Sequence, residues 1–220
     1  ARPTSRTRSS GPCSRRGPVG APPPSRRSSF PPGGPRGYRS LLRLAGPLQS
    51  WGDSSRFTTR ATRREPTKSG VIGLLAAAQG RRRTDSIEDL LTLRFGVRTD
   101  QPGSVVRDFQ TAMDWAHPKK DGSVNAMPLS NRYYLTDAVF VAAVEGDPSL
   151  LQTLDEAIRD PRFPLYLGRR SCPTEGQVSL GVRQGELVKT LESEPWHAKP
   201  WHQRRLRRSD RLHSAYAAAP

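Results

Sequence analysis

No apolar run in this chain approaches the roughly 20 residues that a helix needs to cross a bilayer, so no membrane-spanning helix is expected. The basic N-terminus is followed by no apolar stretch, and a secretory signal is not expected either. Cysteine is nearly absent. Cys13 and Cys172 stand far apart in unlike contexts, which excludes a disulfide framework and points to unpaired thiols in a reducing cytoplasm. For Cys172 the preferred role is a small buried packing residue. Acid is also scarce, with 20 Asp+Glu against 36 Lys+Arg and a formal net charge of +16. That balance calls for an anionic partner, nucleic acid first and an acidic membrane second.

The pieces of common catalytic sites are missing as well. The histidines are His117, His197, His202 and His213. No paired cysteines accompany them, so a zinc site is not expected, and no Ser/His/Asp set can be assembled. Lys68-Ser69-Gly70 stands at a helix start, where free N–H groups attract anions. However, Arg64-Glu65-Pro66-Thr67 precedes it in place of the glycine-rich loop that an ATP site requires. Contact with an RNA phosphate and an ordinary capped helix both remain open there. No cofactor is implied.

The charge is uneven. Residues 1–37 hold eight arginines and no acid in a Pro/Gly/Ser/Arg background. Such a segment buries too little apolar surface to offset its ordering entropy. It is expected to be disordered, or foreign to the natural protein through a misplaced start codon, in preference to being an RNA-binding arm. The chain's 220 residues fit one large domain or two small ones.

From Tyr38 the pattern becomes regular. A strand is expected over Tyr38–Ala45, broken by the loop 46–52, and an irregular basic loop over 53–67. A helix capped by Thr67 or Ser69 follows, with its body at Val71–Ala78 and its end at Gly80. Next come a short helix (86–91) and a strand (93–98). Two extended arms, 105–111 and 131–135, flank a turn-rich tip and suggest a projecting hairpin. It mixes charge (Arg107, Lys119, Lys120, Arg132) with rings (Phe109, Trp115, Tyr133, Tyr134), which suits gripping a phosphate backbone and stacking on bases. Phe109 and one tyrosine are expected to pack at its base. A buried strand (137–144), a helix opened by Pro148 (149–159) and a strand (163–167) complete the order strand, helix, strand, strand, helix, strand. This is the ferredoxin-like α+β arrangement of 38–174, with its sheet face and loops available to RNA. Beyond it, short strands near 178–182 and 186–191 form a small C-terminal β region over 175–220. A basic stretch follows from Trp196 to Arg211, and another strand begins near Ala217, as though the natural C-terminus were cut short.

Tyr166-Leu-Gly-Arg-Arg-Ser-Cys-Pro173 is the most telling segment. Gly168 permits a sharp turn or a close backbone approach. Arg169 and Arg170 each carry a planar fork suited to phosphate. A phosphate clamp and a solvated turn both fit these residues alone.

Four segments in order, 42–52 (LRLAGPLQSWG), 66–75 (PTKSGVIGLL), 107–111 (RDFQT) and 166–173 (YLGRRSCP), resemble the CasD (subtype I-E) branch of the fifth CRISPR-associated (Cas) protein family, in the RAMP superfamily. The resemblance runs from about Tyr38 to Tyr216. It implies a ferredoxin-like body with a projecting thumb (about 104–135) and a small C-terminal β region. It further implies a non-catalytic cytoplasmic subunit of Cascade, the RNA-guided surveillance complex, that caps the 5′ handle of CRISPR RNA. Gln49, Ser50, Trp51 and Gly52, the helix start Lys68, Ser69 and Gly70, and the turn Gly168, Arg169, Arg170, Ser171 and Cys172 would face the handle, with Arg107. Trp115, His117, Lys119, Lys120 and Arg132 would belong to a thumb resting on the backbone subunit. The body would support the large subunit, and target DNA would be reached through the complex. The alternative is a metal-independent endoribonuclease that processes CRISPR repeat RNA, with Tyr133, Tyr134 or His117 as its acid or base.

Overall fold

The computed structural model describes residues 37–217 except 53, 54 and 57, with backbone only at 55–56 and 209–217. The basic extension expected over 1–37 lies, apart from Gly37, outside the described residues.

The main sheet joins β1 (Tyr38–Ala45), β2 (Arg94–Gln101), β5 (Val139–Gly146) and β6 (Ser179–Gln184) in the spatial order β6-β1-β5-β2. All neighbours are antiparallel. β5 is apolar from Val139 to Val144 and buried along that run, as a strand covered on both faces must be. On one face Leu42, Leu44, Phe140, Ala142 and Val144 meet α1 (Lys68–Ala78) and α2 (Pro148–Arg159) in a single core. α1 is capped by the Thr67 hydroxyl, which accepts from the Gly70 N–H, and is followed by Gly80 at φ +78°. α2 is capped by Asp147, with Pro148 in its first turn.

The second sheet positions the site. β3 (Ser104–Gln110) and β4 (Ser130–Thr136) pair antiparallel over their full length. β4 also takes Leu48–Gln49 antiparallel and Thr59–Arg60 parallel. The loop after β1 and the basic loop 58–63 are thereby drawn to the same edge of β4, the one that β3 leaves open. A two-stranded ladder, Met113–Asp114 with Asn125–Ala126, continues towards its tip. Tyr134 is buried, whereas Phe109 is 67% exposed and does not pack at the base.

Several expectations are corrected. Residues 163–167 form no strand. Pro161 and Pro164 lack ladder donors, and the segment folds back on itself through the bridge Tyr166↔Pro173 and the Leu167 N–H to the Cys172 carbonyl. The outer strand is β6 instead. Residues 187–193 form a helix, α3 (Leu187–Ser193), not a strand. The turn at Gly185 ends β6, and Leu187 and Leu191, one helical turn apart, pack on Leu41, Val141 and Ala143. That face of the sheet is covered by a helix and is not the open RNA platform expected. The region from Pro200 to Ala217 is an 18-residue helix, α4, with no strand beginning at Ala217. The C-terminal region is therefore one strand and two helices rather than a β unit. Among the described residues, no helix is long and apolar enough to cross a membrane.

Candidate nucleic-acid interface

The turn after β1 is fixed by buried polar chemistry. Gln49 is fully buried; its Nε2 donates to the Leu44 and Ala138 carbonyls, and its Oε1 accepts from the Trp51 indole N–H at 3.0 Å. The Ser50 N–H donates to the Leu167 carbonyl, and the Ser50 hydroxyl to the Tyr133 carbonyl. Gly168 then crosses directly over this loop. Its φ is +90°, and a Cβ there would overlap the Ser50 carbonyl oxygen. Glycine is required by both the angle and the approach. Gly70, in the first turn of α1, lies against the Trp51 ring, where an added Cβ would stand 2.8 Å from Cε3.

Five chain segments meet around a groove of about 580 Å³, lined by Ser50, Trp51, Gly52, Arg60, Thr67, Ser69, Gly70, Arg132, Gly168 and Arg169. Three arginines and no carboxylate line it. Arg60 and Arg132 are register partners on parallel strands, so two like charges stand side by side. That arrangement is unfavourable until an anion lies between them. Arg132 Nε is buried and has no hydrogen-bond partner. The first-turn N–H groups of α1 add partial positive charge at the rim.

The two arginines of the 168–173 turn divide their work. Arg169 sits 4.8 Å from the Tyr134 ring centre and donates to the carbonyls of Tyr133 (3.2 Å) and Arg60 (2.9 Å). It braces the groove wall. Arg170 is exposed and makes no hydrogen bond or ion pair with the described residues. Burial pushes the Tyr134 phenol upward, but hydrogen bonds with Ser171, Arg169 and Arg132, and the Arg169 charge, outweigh it and hold the pKa below the ordinary value.

The expected residues thus fall into groups. Ser50, Gly52, Ser69, Gly70, Gly168 and Arg169 come together in the groove. Arg132, expected in the thumb, joins them. Gln49, Trp51 and Cys172 have side chains that are 0–1% exposed; they shape the site from behind, and Trp51 reaches the groove only as part of its wall. Cys172 is a free buried thiol, pushed upward by burial. Lys68 turns away and donates to the Leu91 carbonyl. Ser171 is exposed beside Cys172 and bonds Tyr134. Arg107 is exposed on β3, outside the groove lining. Trp115, His117, Lys119 and Lys120 are exposed near the hairpin tip, where His117 pairs with Asp114 at 3.1 Å. Arg60 and Thr67 were missed. Thr67 carries only a capping signal in sequence, and Arg60 becomes a groove residue through a nonlocal parallel pairing that leaves no periodic trace there. Among the described residues, no three His, Cys, Asp or Glu side chains are grouped as metal ligands would be.

A family model described as "CRISPR-associated protein (Cas_Cas5)" matches residues 41–216. The Escherichia coli (strain K12) protein named "CRISPR system Cascade subunit CasD" is 35% identical over 158 residues, which make up 66% of this chain and 70% of that protein. A solved structure described as "CRISPR RNA-guided surveillance complex" is similar at 38% identity and a TM-score of 0.61, over 70% of this chain and 66% of that one. Another, "Crystal structure of Cas protein", is similar at 42% identity and a TM-score of 0.57, over 72% of this chain and 71% of that one. The chain thus spans about two thirds of the length of these relatives.

Proposed function

The chain belongs to the CRISPR-associated Cas5 family, and from that premise we propose that it is a Cascade subunit whose basic groove holds the 5′ handle of CRISPR RNA. The observation that carries this reading is the triad Arg60, Arg132 and Arg169 facing a groove without acid. Phosphates of a single strand would neutralise the Arg60–Arg132 pair. Ser50, Gly52 and Gly70 leave the walls low enough for a backbone to approach. Arg170, exposed at the rim, would take a further phosphate.

In this reading the main sheet with α1 and α2 is a ferredoxin-like RAMP body, and the order β6-β1-β5-β2 supports that. The β3–β4 hairpin is the thumb. Its exposed Val105, Phe109, Met113 and Trp115 are the kind of surface that a neighbouring backbone subunit would cover. The body would support the large subunit. Sequence specificity is left to the guide, which meets target DNA in the complex. The subunit works in the cytoplasm and cleaves nothing.

The test is reconstitution with partner subunits and CRISPR RNA. Arg60→Ala with Arg132→Ala is expected to lower handle affinity on the order of 10²- to 10⁴-fold, from about 1.5–3 kcal/mol for each of the two charged contacts. One observation favours the endoribonuclease reading, the lowered Tyr134 phenol among arginines. Repeat RNA incubated with the purified chain distinguishes the two: specific cleavage lost in Tyr134→Phe would replace the scaffold with an enzyme.

A further inference from the structure

We propose that the exposed face of α4 is a docking surface for the phosphate backbone of double-stranded DNA, separate from the groove. From residue 195 to 208 the chain carries Lys199, Arg204, Arg205, Arg207 and Arg208 and no acid. Arg204, Arg207 and Arg208 stand at i, i+3 and i+4, on one side of the helix. All are exposed, and none makes an ion pair or hydrogen bond with the described residues. Arg205 is held otherwise, 5.5 Å over the Trp201 ring and against His202 Nδ1.

The helix start is rigidly mounted, so these charges have a defined direction. Arg98 reaches across from β2 to the carbonyls of Leu191, Glu194 and Pro195. The buried Asp100 carboxylate accepts from Arg98 and from the His197 N–H. Its carbonyl accepts from the Trp196 indole, and Gln101 Oε1 accepts from the Lys199 N–H. His202 is buried edge-on between Trp196 and Trp201. The sequence commits this much polar and aromatic chemistry to holding a helix start that presents Arg204, Arg207 and Arg208.

Charge complementarity selects a polyanion, and shape selects DNA. The major groove of B-form DNA is about 12 Å wide and admits an α-helix, whereas the deep, narrow major groove of A-form RNA does not. An arginine row on one helix face fits phosphates along such a groove and reads no sequence.

The test titrates the full chain with a DNA duplex unrelated to any guide, against Arg204→Ala/Arg207→Ala/Arg208→Ala and against the matching triple Lys variant. The Arg-rich residues 1–36 are common to all three chains. The Ala variant is expected to lose about 100-fold in affinity near physiological salt, with the logarithmic salt slope shallower by about 3. The Lys variant keeps most of both. Unchanged duplex affinity and slope would overturn the proposal. So would an equal loss on an RNA duplex of the same length, which would mark the helix as a general polyanion binder. CRISPR RNA retention by the reconstituted complex, measured on the same variants, is expected to stay unchanged. A loss there would move the helix to the guide RNA and also overturn the proposal, without bearing on Arg60 and Arg132.

Discussion

The Arg169 guanidinium lies 4.8 Å from the centre of the Tyr134 ring while donating to the Arg60 carbonyl at 2.9 Å. One side chain thus ties the 168–173 turn to the hairpin and to the basic loop 58–63, and the groove exists because those three meet.

Arg169 and Arg170 are therefore expected to separate in experiment. Arg169→Ala removes the ring contact and the carbonyl bonds and should cost about 1–3 kcal/mol of stability. Arg169→Lys should not restore it, since a point charge cannot reproduce the fork. Arg170→Ala should change stability by less than about 0.5 kcal/mol yet weaken handle binding. Thermal melting and RNA titration of both variants check the division.

Gly168→Ala meets both the left-handed backbone and the Ser50 carbonyl. A loss of about 3 kcal/mol or more is expected, read from the urea midpoint. A near-neutral result would mean that the turn does not cross the loop as described.

Gln49→Leu keeps the volume but strips the Leu44 and Ala138 carbonyls and the Trp51 indole of their partner. Buried groups left unpaired should cost about 2–4 kcal/mol in total. Gln49→Glu should cost at least as much, because it buries a charge facing two carbonyls. Chemical denaturation of the two variants measures this.

Much of the fold was legible because its signals are local. The Thr67 cap, the Val71–Ala78 body and Gly80 define α1 without tertiary information. Pro148 and the Leu151, Leu154 and Ile158 spacing do the same for α2. The Val139–Val144 run is short and rich in β-branched and aromatic residues, which favours an interior strand. The errors came where local signals conflict with partners distant in sequence. Leu187-Val-Lys-Thr-Leu191 fits a strand or a helix; the sheet surface at Leu41, Val141 and Ala143 decides for the helix. Phe163–Leu167 has strand residues, but β6 pairs along β1 in its place. The 46–52, 66–70 and 168–172 segments were legible as candidate site segments. Which of their side chains face the groove was not, since Gln49, Trp51 and Cys172 turn inward to build it. Arg60 was invisible because its place depends on a parallel pairing with Arg132.

The Tyr134 phenol offers a pH probe of the wall. Its folded pKa lies below the ordinary value because Ser171, Arg169 and Arg132 outweigh burial. A depressed folded value stabilises the fold fully above the unfolded pKa, and that contribution is lost as pH falls through the folded one. The contribution is therefore present in alkali above the ordinary phenol range and declines as pH falls. An absorbance titration of the wild type minus Tyr134→Phe is expected to show a phenol midpoint below the ordinary value. In Arg169→Ala it should move up, because burial remains while the balancing charge is gone.

The central claim is that the groove between Ser50–Gly52, Ser69–Gly70 and Gly168–Arg169 holds the 5′ handle. Photocrosslinking tests it most directly, with 4-thiouridine placed along the handle in the reconstituted complex and the linked peptides identified by mass spectrometry. Crosslinks are expected in the peptides that carry 50–52, 60, 69–70, 132 and 168–170. Handle crosslinks confined to other subunits, or to surfaces of this chain outside the groove, would contradict it.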